Sequence, residues 1–358
     1  MLAAYSSAAS AQTPAPAPAP APVWSVGSID FSGLVDSYYS LNFNHPALRT
    51  NQLRNFDVSA NQFSLNMLKL TASHDADPVG FRVDFGFGKS FDIIHGGETM
   101  SPNAFRNIEQ AFVTVKPKNA GGFQMDFGKF VTSAGAEVIE TKDNWNYSRS
   151  LLFAWAIPYY HFGFRTAVPV GSHFTGGFQL VNGWNNVEDN NSGKTIGLTG
   201  TFTSSKATWA NNYYAGPETA GINSGWRQLY DTTLLLTPCD KASFYINYDY
   251  GENKYPTPGR AVWTGVAAAA RFQLNDFWAI APRAEWFSDR NGFSTGVTQK
   301  LKEFTFTLEG KMAEGLLARA EYRQDWSDQY FFQRGGPGLA KSQPTMLLGV
   351  VAFFGPKR

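Results

Sequence analysis

The strongest constraint in this sequence is the spacing between its apolar-patterned segments. Sixteen such segments can be read, near 29–41, 61–73, 79–89, 105–116, 123–131, 159–168, 173–183, 194–203, 206–215, 226–237, 241–250, 261–273, 276–287, 299–310, 315–325 and 344–354. Short links at 75–78, 117–122, 169–171, 204–205, 238–240, 274–275 and 311–314 alternate with longer polar ones. The longer links are 42–60, 90–104, 132–158, 184–193, 216–225, 251–260, 288–298 and 326–343. A meander closed into a barrel predicts tight turns on one rim and loops on the other. A Greek-key sandwich has no reason to produce that asymmetry.

Within the segments the apolar period is two, the period of a strand. Phe81, Val83, Phe85 and Phe87 alternate with Arg82, Asp84, Gly86 and Gly88. Phe304, Phe306 and Leu308 alternate with Glu303, Thr305, Thr307 and Glu309, and the polar face near Leu317 reads Arg319, Glu321, Arg323, Asp325. No apolar run reaches the ~18 residues of a transmembrane helix. The expected fold is therefore an all-β, transmembrane, antiparallel up-and-down β-barrel of about 16 strands, with short periplasmic turns and long extracellular loops. In that arrangement the Phe-rich face meets lipid and the charged face lines a wet lumen; a soluble sandwich would invert the two. Tyr38, Tyr39, Tyr159, Tyr160, Trp184, Tyr213, Tyr214, Tyr250, Trp263, Trp278, Trp286, Tyr322 and Trp326 lie mostly near segment ends, where interfacial girdles sit. Sixteen strands are too many for side chains to fill, which implies an aqueous channel.

Thirty basic against 29 acidic residues leave a net charge of +1, which argues against nucleic acid as a partner. The one cysteine, Cys239, excludes an intrachain disulfide framework and a multi-cysteine zinc site. Residues 1–12 end in Ala9-Ser10-Ala11, the form of a signal-peptidase site, and are expected to be the remnant of a secretory signal peptide. Residues 13–24 hold an Ala/Pro-rich linker of polyproline type, and 25–358 the barrel.

Several stretches then carry a resemblance in order: Phe127-Gly128-Lys129-Phe130, Gly135-Ala136-Glu137, Asn146-Tyr147-Ser148-Arg149-Ser150, Pro158, Gly163, Val181-Asn182-Gly183-Trp184 and Asp189-Asn190-Asn191. With this spacing the chain resembles the outer-membrane β-barrel porins, most closely the beta-barrel porin-2 (OmpL-like) family, over roughly Ile29 to Phe354. It departs from them in following Phe353-Phe354 with four further residues, since such barrels commonly end on an aromatic that the assembly machinery recognises.

The resemblance implies a passive channel for small hydrophilic solutes in the outer membrane of a didermic bacterium. It also implies outer-membrane lipid, lipopolysaccharide and the assembly machinery as partners, and a homotrimer as an assembly, because sixteen-stranded porins are usually trimers. Independently, 132–158 is the third and longest of the long links, at 27 residues, and a loop of that length is usually functional. General porins fold this loop inward. Its Glu137, Glu140 and Asp143 would then face wall residues among Arg82, Arg165, Arg227, Arg271, Arg283, Arg319 and Arg323, forming the pore constriction, while apolar Leu151–Ile157 packs on the inner wall. Mixed charge across an eyelet predicts weak ion selectivity, with a modest cation preference from the loop carboxylates. Wall arginines bathed in water should tolerate substitution, so Arg319→Phe should cost far less than Phe306→Arg.

His45, His74, His95, His161 and His173 are scattered without H-x-x-x-H or HExxH spacing, and there is no G-x-S-x-G elbow. Residues 185–193 carry oxygen ligands without the order of a calcium loop. No cofactor and no catalytic residue is expected. The alternatives to a channel are an outer-membrane barrel enzyme of lipid-esterase type, which needs a Ser/His pair on the lipid side, and a surface-binding or adhesin barrel.

Overall fold

A computed structural model describes residues 24–98 and 105–356. The expected signal-peptide remnant, most of the expected Ala/Pro linker and the last two residues lie outside the described residues. Sixteen strands form the wall: β1 (Ile29–Asn42), β2 (Gln62–His74), β3 (Val79–Phe87), β4 (Ile108–Val115), β5 (Gln124–Val131), β6 (Tyr160–Val170), β7 (Phe174–Val181) and β8 (Thr195–Thr203). They continue as β9 (Ala207–Thr219), β10 (Ile222–Cys239), β11 (Ala242–Lys254), β12 (Arg260–Gln273), β13 (Trp278–Asp289), β14 (Gln299–Ala313), β15 (Leu316–Ser327) and β16 (Ser342–Phe354). Each pairs antiparallel with the next, and β16 pairs with β1 from Thr345↔Asn42 to Phe354↔Gly33, which closes the ring. Closure leaves no edge strand to seek another chain.

The faces fall out as the period-two pattern predicts. Phe306 is 41% exposed while its neighbours Thr305 and Thr307 are fully buried, and the same alternation holds for Phe85 against Asp84. The apolar face thus points outward and the charged face inward, the arrangement suited to a hydrocarbon surround. No helix among the described residues is long and apolar enough to cross a membrane; most of the wall strands hold the nine or more residues that a tilted crossing needs.

Two expectations need correction. The 216–225 link is in fact strand: β9 runs to Thr219 and β10 starts at Ile222, leaving two residues between. Gly216 and Pro217 read as breakers, but β9 loses its β8 neighbour above Ala215, so the missing proline amide costs no β8 bond, and the β9–β10 ladder continues to Thr219 with a register shift just beyond Pro217. The 251–260 link likewise shrinks to 255–259. The aromatic girdle is also smaller than expected. Tyr39, Tyr213, Tyr250, Trp278, Trp286, Tyr322 and Trp326 keep outward positions, but Tyr38, Tyr160, Tyr214 and Trp263 are buried, and Tyr159 and Trp184 pack against the core cluster.

Two short helices sit in the long links, α1 (Lys89–Ile94) and α2 (Leu151–Trp155). The α2 start is fixed by Ser150, whose Oγ accepts the Phe153 amide at 3.0 Å. One β-bulge also shapes the interior. Asp36 faces Met67 while Ser37 faces Leu65, so Asn66 is an extra residue. The bulge shifts the face alternation of β2 and turns Lys69 inward.

Candidate functional site

Residues 132–159 leave β5 and cross the barrel interior. Their first contacts are on the β9–β11 side: Ser133 Oγ donates to Asn212 Oδ1 at 2.9 Å, and the Ala136 amide donates to Asn247 Oδ1 at 3.3 Å. Glu137 then reaches β13, where Arg283 Nη1 donates to its Oε1 at 2.6 Å; its other oxygen accepts the Ser150 amide at 2.6 Å. Glu140 lies on the opposite side and pairs with Lys69 of β2. As β2 and β10 lie eight strands apart in a ring of sixteen, the segment spans the section.

The middle of the segment is stitched to β13–β16 and β1 by charged side chains. Glu321 accepts the Tyr147 amide at 2.7 Å and the Ser148 amide at 3.0 Å. Arg319 donates to the carbonyls of Thr141 (2.6 Å), Asn146 (3.1 Å) and Asn144. Arg323 donates to the Arg149 carbonyl at 2.5 Å, and Asp36 accepts from Tyr147 Oη and Thr141 Oγ1, each at 2.5 Å. Glu285 Oε2 accepts the Leu151 amide at 2.8 Å, so the first turn of α2 rests on a wall carboxylate. Arg149 folds the segment on itself, donating to the carbonyls of Val138 (2.9 Å), Tyr147 (2.5 Å) and Ile139 (2.5 Å).

Opposite charges alternate on the wall beneath. Arg283 lies 3.2 Å from Glu285 and 3.3 Å from Glu303, and Arg323 bonds Asp325 at 2.8 Å. Arg319 bonds Glu309 at 2.6 Å. Charges taken this far from water are tolerable only with partners of this quality. On the β2 side Lys69 also lies 3.1 Å from Glu109 and 3.5 Å from Asp84. The three acids Asp84, Glu109 and Glu140 approach the geometry of a cation site, and the Lys69 ammonium already supplies the charge. Burial pushes the Glu140 carboxyl up, but Lys69 and then Arg82 outweigh it and hold it at about 2.

The expected eyelet residues therefore separate into groups. Glu137 with Arg283, and Arg319 and Arg323 with the segment's backbone, come together in the centre, but as buried anchors rather than as wetted wall. Asp143 pairs with Lys142 beside it at 2.7 Å. Arg82, Arg165 and Arg271 sit two to five residues from the short-turn ends of their strands, below the segment, paired with Asp84, Asp126 and Glu309. Arg227 lies at the long-link mouth, opposite Asn253, away from the loop carboxylates. Sequence reasoning missed Lys69, Asp36, Glu285, Glu303 and Glu321 as anchors. All five lie on the polar faces of strands, but only Lys69 was hidden, by the bulge.

The pattern of the putative beta-barrel porin-2, OmpL-like family matches residues 28–354. The chain belongs to that family. It is thus a porin-type barrel of the Gram-negative outer membrane, with its short turns periplasmic and its long links extracellular. No curated protein matches it in sequence. Among solved structures, this porin is similar to the anion-selective porin of Comamonas acidovorans, with a TM-score of 0.62 and 12% identity over 91% of this chain and 99% of that one. It is similar to the outer membrane channel DcaP of Acinetobacter baumannii, with a TM-score of 0.61 and 10% identity over 91% and 97%. OmpT of Vibrio cholerae, expressed in the outer membrane, gives 0.60 and 13% over 92% and 99%. At such identities these likenesses speak for the shared barrel fold.

Proposed function

We propose that this porin is a water-filled channel for passive diffusion of small hydrophilic solutes, narrowed by the 132–159 segment. The observation that carries this reading is the segment's path: it binds β2 on one side and β9–β11 on the other, so any solute must pass beside it. The lumen replaces a route through lipid, and the gap beside the segment sets the size limit.

The vestibule below sets the sign of selectivity. In each of its ion pairs the cation is the partner that meets water. Arg82 is 40% exposed against 0% for Asp84, Arg165 27% against 5% for Asp126, and Arg271 28% against 11% for Glu309. Water-facing guanidinium groups over buried carboxylates produce a positive inner surface, and a narrow low-dielectric passage focuses it. The channel prefers anions on this reading. That replaces the cation preference expected from Glu137 and Glu140, whose charges are spent on Arg283 and Lys69.

Purified protein in a planar bilayer tests both parts. Stepwise ohmic conductance in KCl is expected, with a reversal potential in a salt gradient on the anion side that weakens at high ionic strength. Absence of steps from verifiably inserted protein overturns the channel; a cation-side reversal potential overturns the selectivity.

A further inference from the structure

At the extracellular mouth the Arg227 guanidinium lies against two aromatic rings. Its central carbon is 4.9 Å from the Trp184 ring centroid and 5.0 Å from that of Phe293. Nε donates to Asn253 Oδ1 at 3.1 Å. Of the seven wall arginines singled out from the sequence, the other six each form an ion pair, whereas among the described residues Arg227 forms none. The neighbouring carboxylate, Glu218, acts on Arg227 through space without an ion-pair contact, while its oxygens accept Thr195 Oγ1 at 2.6 Å and the Trp184 amide at 2.9 Å.

The rings are held as firmly as the cation. Trp263 lies flat over Gly251, where an added Cβ would come within 1.9 Å of its indole, and its Nε1 donates to the Ala156 carbonyl at 3.1 Å. Phe293 stacks on Trp263 at 5.0 Å and 13°, and Trp184 meets Trp263 edge-on at 6.1 Å. The Phe293 turn is fixed by buried Asp289, which accepts the amides of Phe293 (2.9 Å), Ser294 (2.9 Å) and Thr295 (2.7 Å). A second donor waits nearby: the Trp184 indole Nε1 is buried, and among the described residues no acceptor meets it.

We propose that Arg227, Trp184 and Phe293 form a docking site for small carboxylate anions with a planar apolar body. The site would capture them at the mouth before they reach the constriction. This rests on the channel reading above and names its preferred solute class. Trp184 and Phe293, nearly perpendicular to one another because Trp263 is edge-on to the first and parallel to the second, wall the guanidinium on two sides, and its Nη1/Nη2 edge would carry the charge to a bound solute. That edge matches a carboxylate with two parallel hydrogen bonds. The surrounding rings exclude water, which strengthens the contact, and offer an apolar wall to the rest of the solute.

Benzoate added on the loop side of single channels in KCl is the probe, with acetate as the comparison. Benzoate should interrupt the current reversibly and at lower concentration than acetate. Arg227→Gln should raise the half-blocking benzoate concentration by at least about tenfold, the low end for losing charge-assisted hydrogen bonds. Phe293→Leu should narrow the gap between benzoate and acetate. In detergent, benzoate should also change the tryptophan fluorescence of the wild type, and Arg227→Gln should abolish that change. Equal block by benzoate and acetate, or an unaltered benzoate response in Arg227→Gln, overturns the site. If no steps appear in KCl, the channel reading fails by itself, and the fluorescence titration still decides whether the anion binds. Should Arg227→Gln not fold, the wild-type titration and Phe293→Leu carry the decision.

Discussion

The 132–159 segment is held by its two sides in different ways. Toward β13–β16 and β1 it is anchored by charged side chains, Arg283, Arg319, Arg323, Glu321 and Asp36, all nearly removed from water. Toward β9–β11 its side-chain partners are mostly neutral, Ser133 with Asn212 and Tyr214 and Ala136 with Asn247, with buried Asp231 behind them bonding both asparagine amides and the Gly135 amide. A neutral hydrogen bond contributes about 1 kcal/mol net, whereas breaking one half of a buried ion pair costs about 3–5 kcal/mol. On the proposed channel reading the charged side is the fixed hinge of the constriction, and the neutral side is where the gap can widen.

The largest effects should come from the charged side. Arg283→Gln leaves Glu137, Glu285 and Glu303 without their shared cation, and should cost about 3–5 kcal/mol. The temperature at which the folded gel band converts to the unfolded one should drop clearly. Arg319→Phe should behave alike, because it leaves Glu309 with Arg271 alone and strips three segment carbonyls of their donor. This reverses the sequence-based expectation that an arginine on the lumen wall can be replaced freely. Wild-type conversion temperatures in both variants would erase the distinction between the two sides.

A lipid-facing substitution calibrates that scale from outside the barrel. Phe306→Arg places a charge on the outer face and should cost about 2–4 kcal/mol if it sits near the bilayer midplane. It should slow folding into vesicles without changing the conductance of the channels that do form. A changed conductance would mean that the outer and inner faces are coupled.

How much of this was legible in the sequence follows from what sets each feature. Strand period, barrel closure and the inward direction of Asp84, Glu303 and Arg319 are local properties of alternating residues, so they could be read directly. Lys69 could not be read, because the bulge at Asn66 breaks the alternation only once β1 and β2 are paired. The partner of each loop carboxylate depends on strand stagger, which fixes heights along the barrel and leaves no mark on residue order. Arg227 illustrates this: its face was correct, but its height puts it beside Trp184 and Phe293 instead of Glu137. Extended strands at β9 and β10 were missed because Pro217 and Gly216 signal a turn only where a neighbouring strand needs their amides.

On the neutral side, Asn212→Ala and Asn247→Ala together also strip buried Asp231 of both its side-chain amide donors, and should lower stability by about 2–3 kcal/mol. They should nevertheless raise single-channel conductance more than Arg283→Gln does in the channels it still forms. A double variant with unchanged conductance would move the path away from this wall.

The smallest effect should be a pH response of the β2 tether. Glu140 faces Lys69 and Arg82 as cations and Asp84 and Glu109 as further acids. Its carboxyl is held at about 2, below its ordinary 4.5, so the unfolded chain binds the proton more readily than the folded one. The stabilisation is therefore complete above about pH 4.5 and is lost as pH falls through about 2. Conductance should stay flat from pH 7 to 5 and become noisy or larger only well below pH 4.5, as the segment loosens from β2. Glu140→Gln separates this from the titration of other lumen acids: it should show the loosened behaviour already at pH 7 and lack the added acid response. A wild-type transition centred near pH 4.5 would instead mean that Glu140 is wetted and free of Lys69. In that case the segment would have only one anchored side, and the constriction would swing on β13–β16 alone.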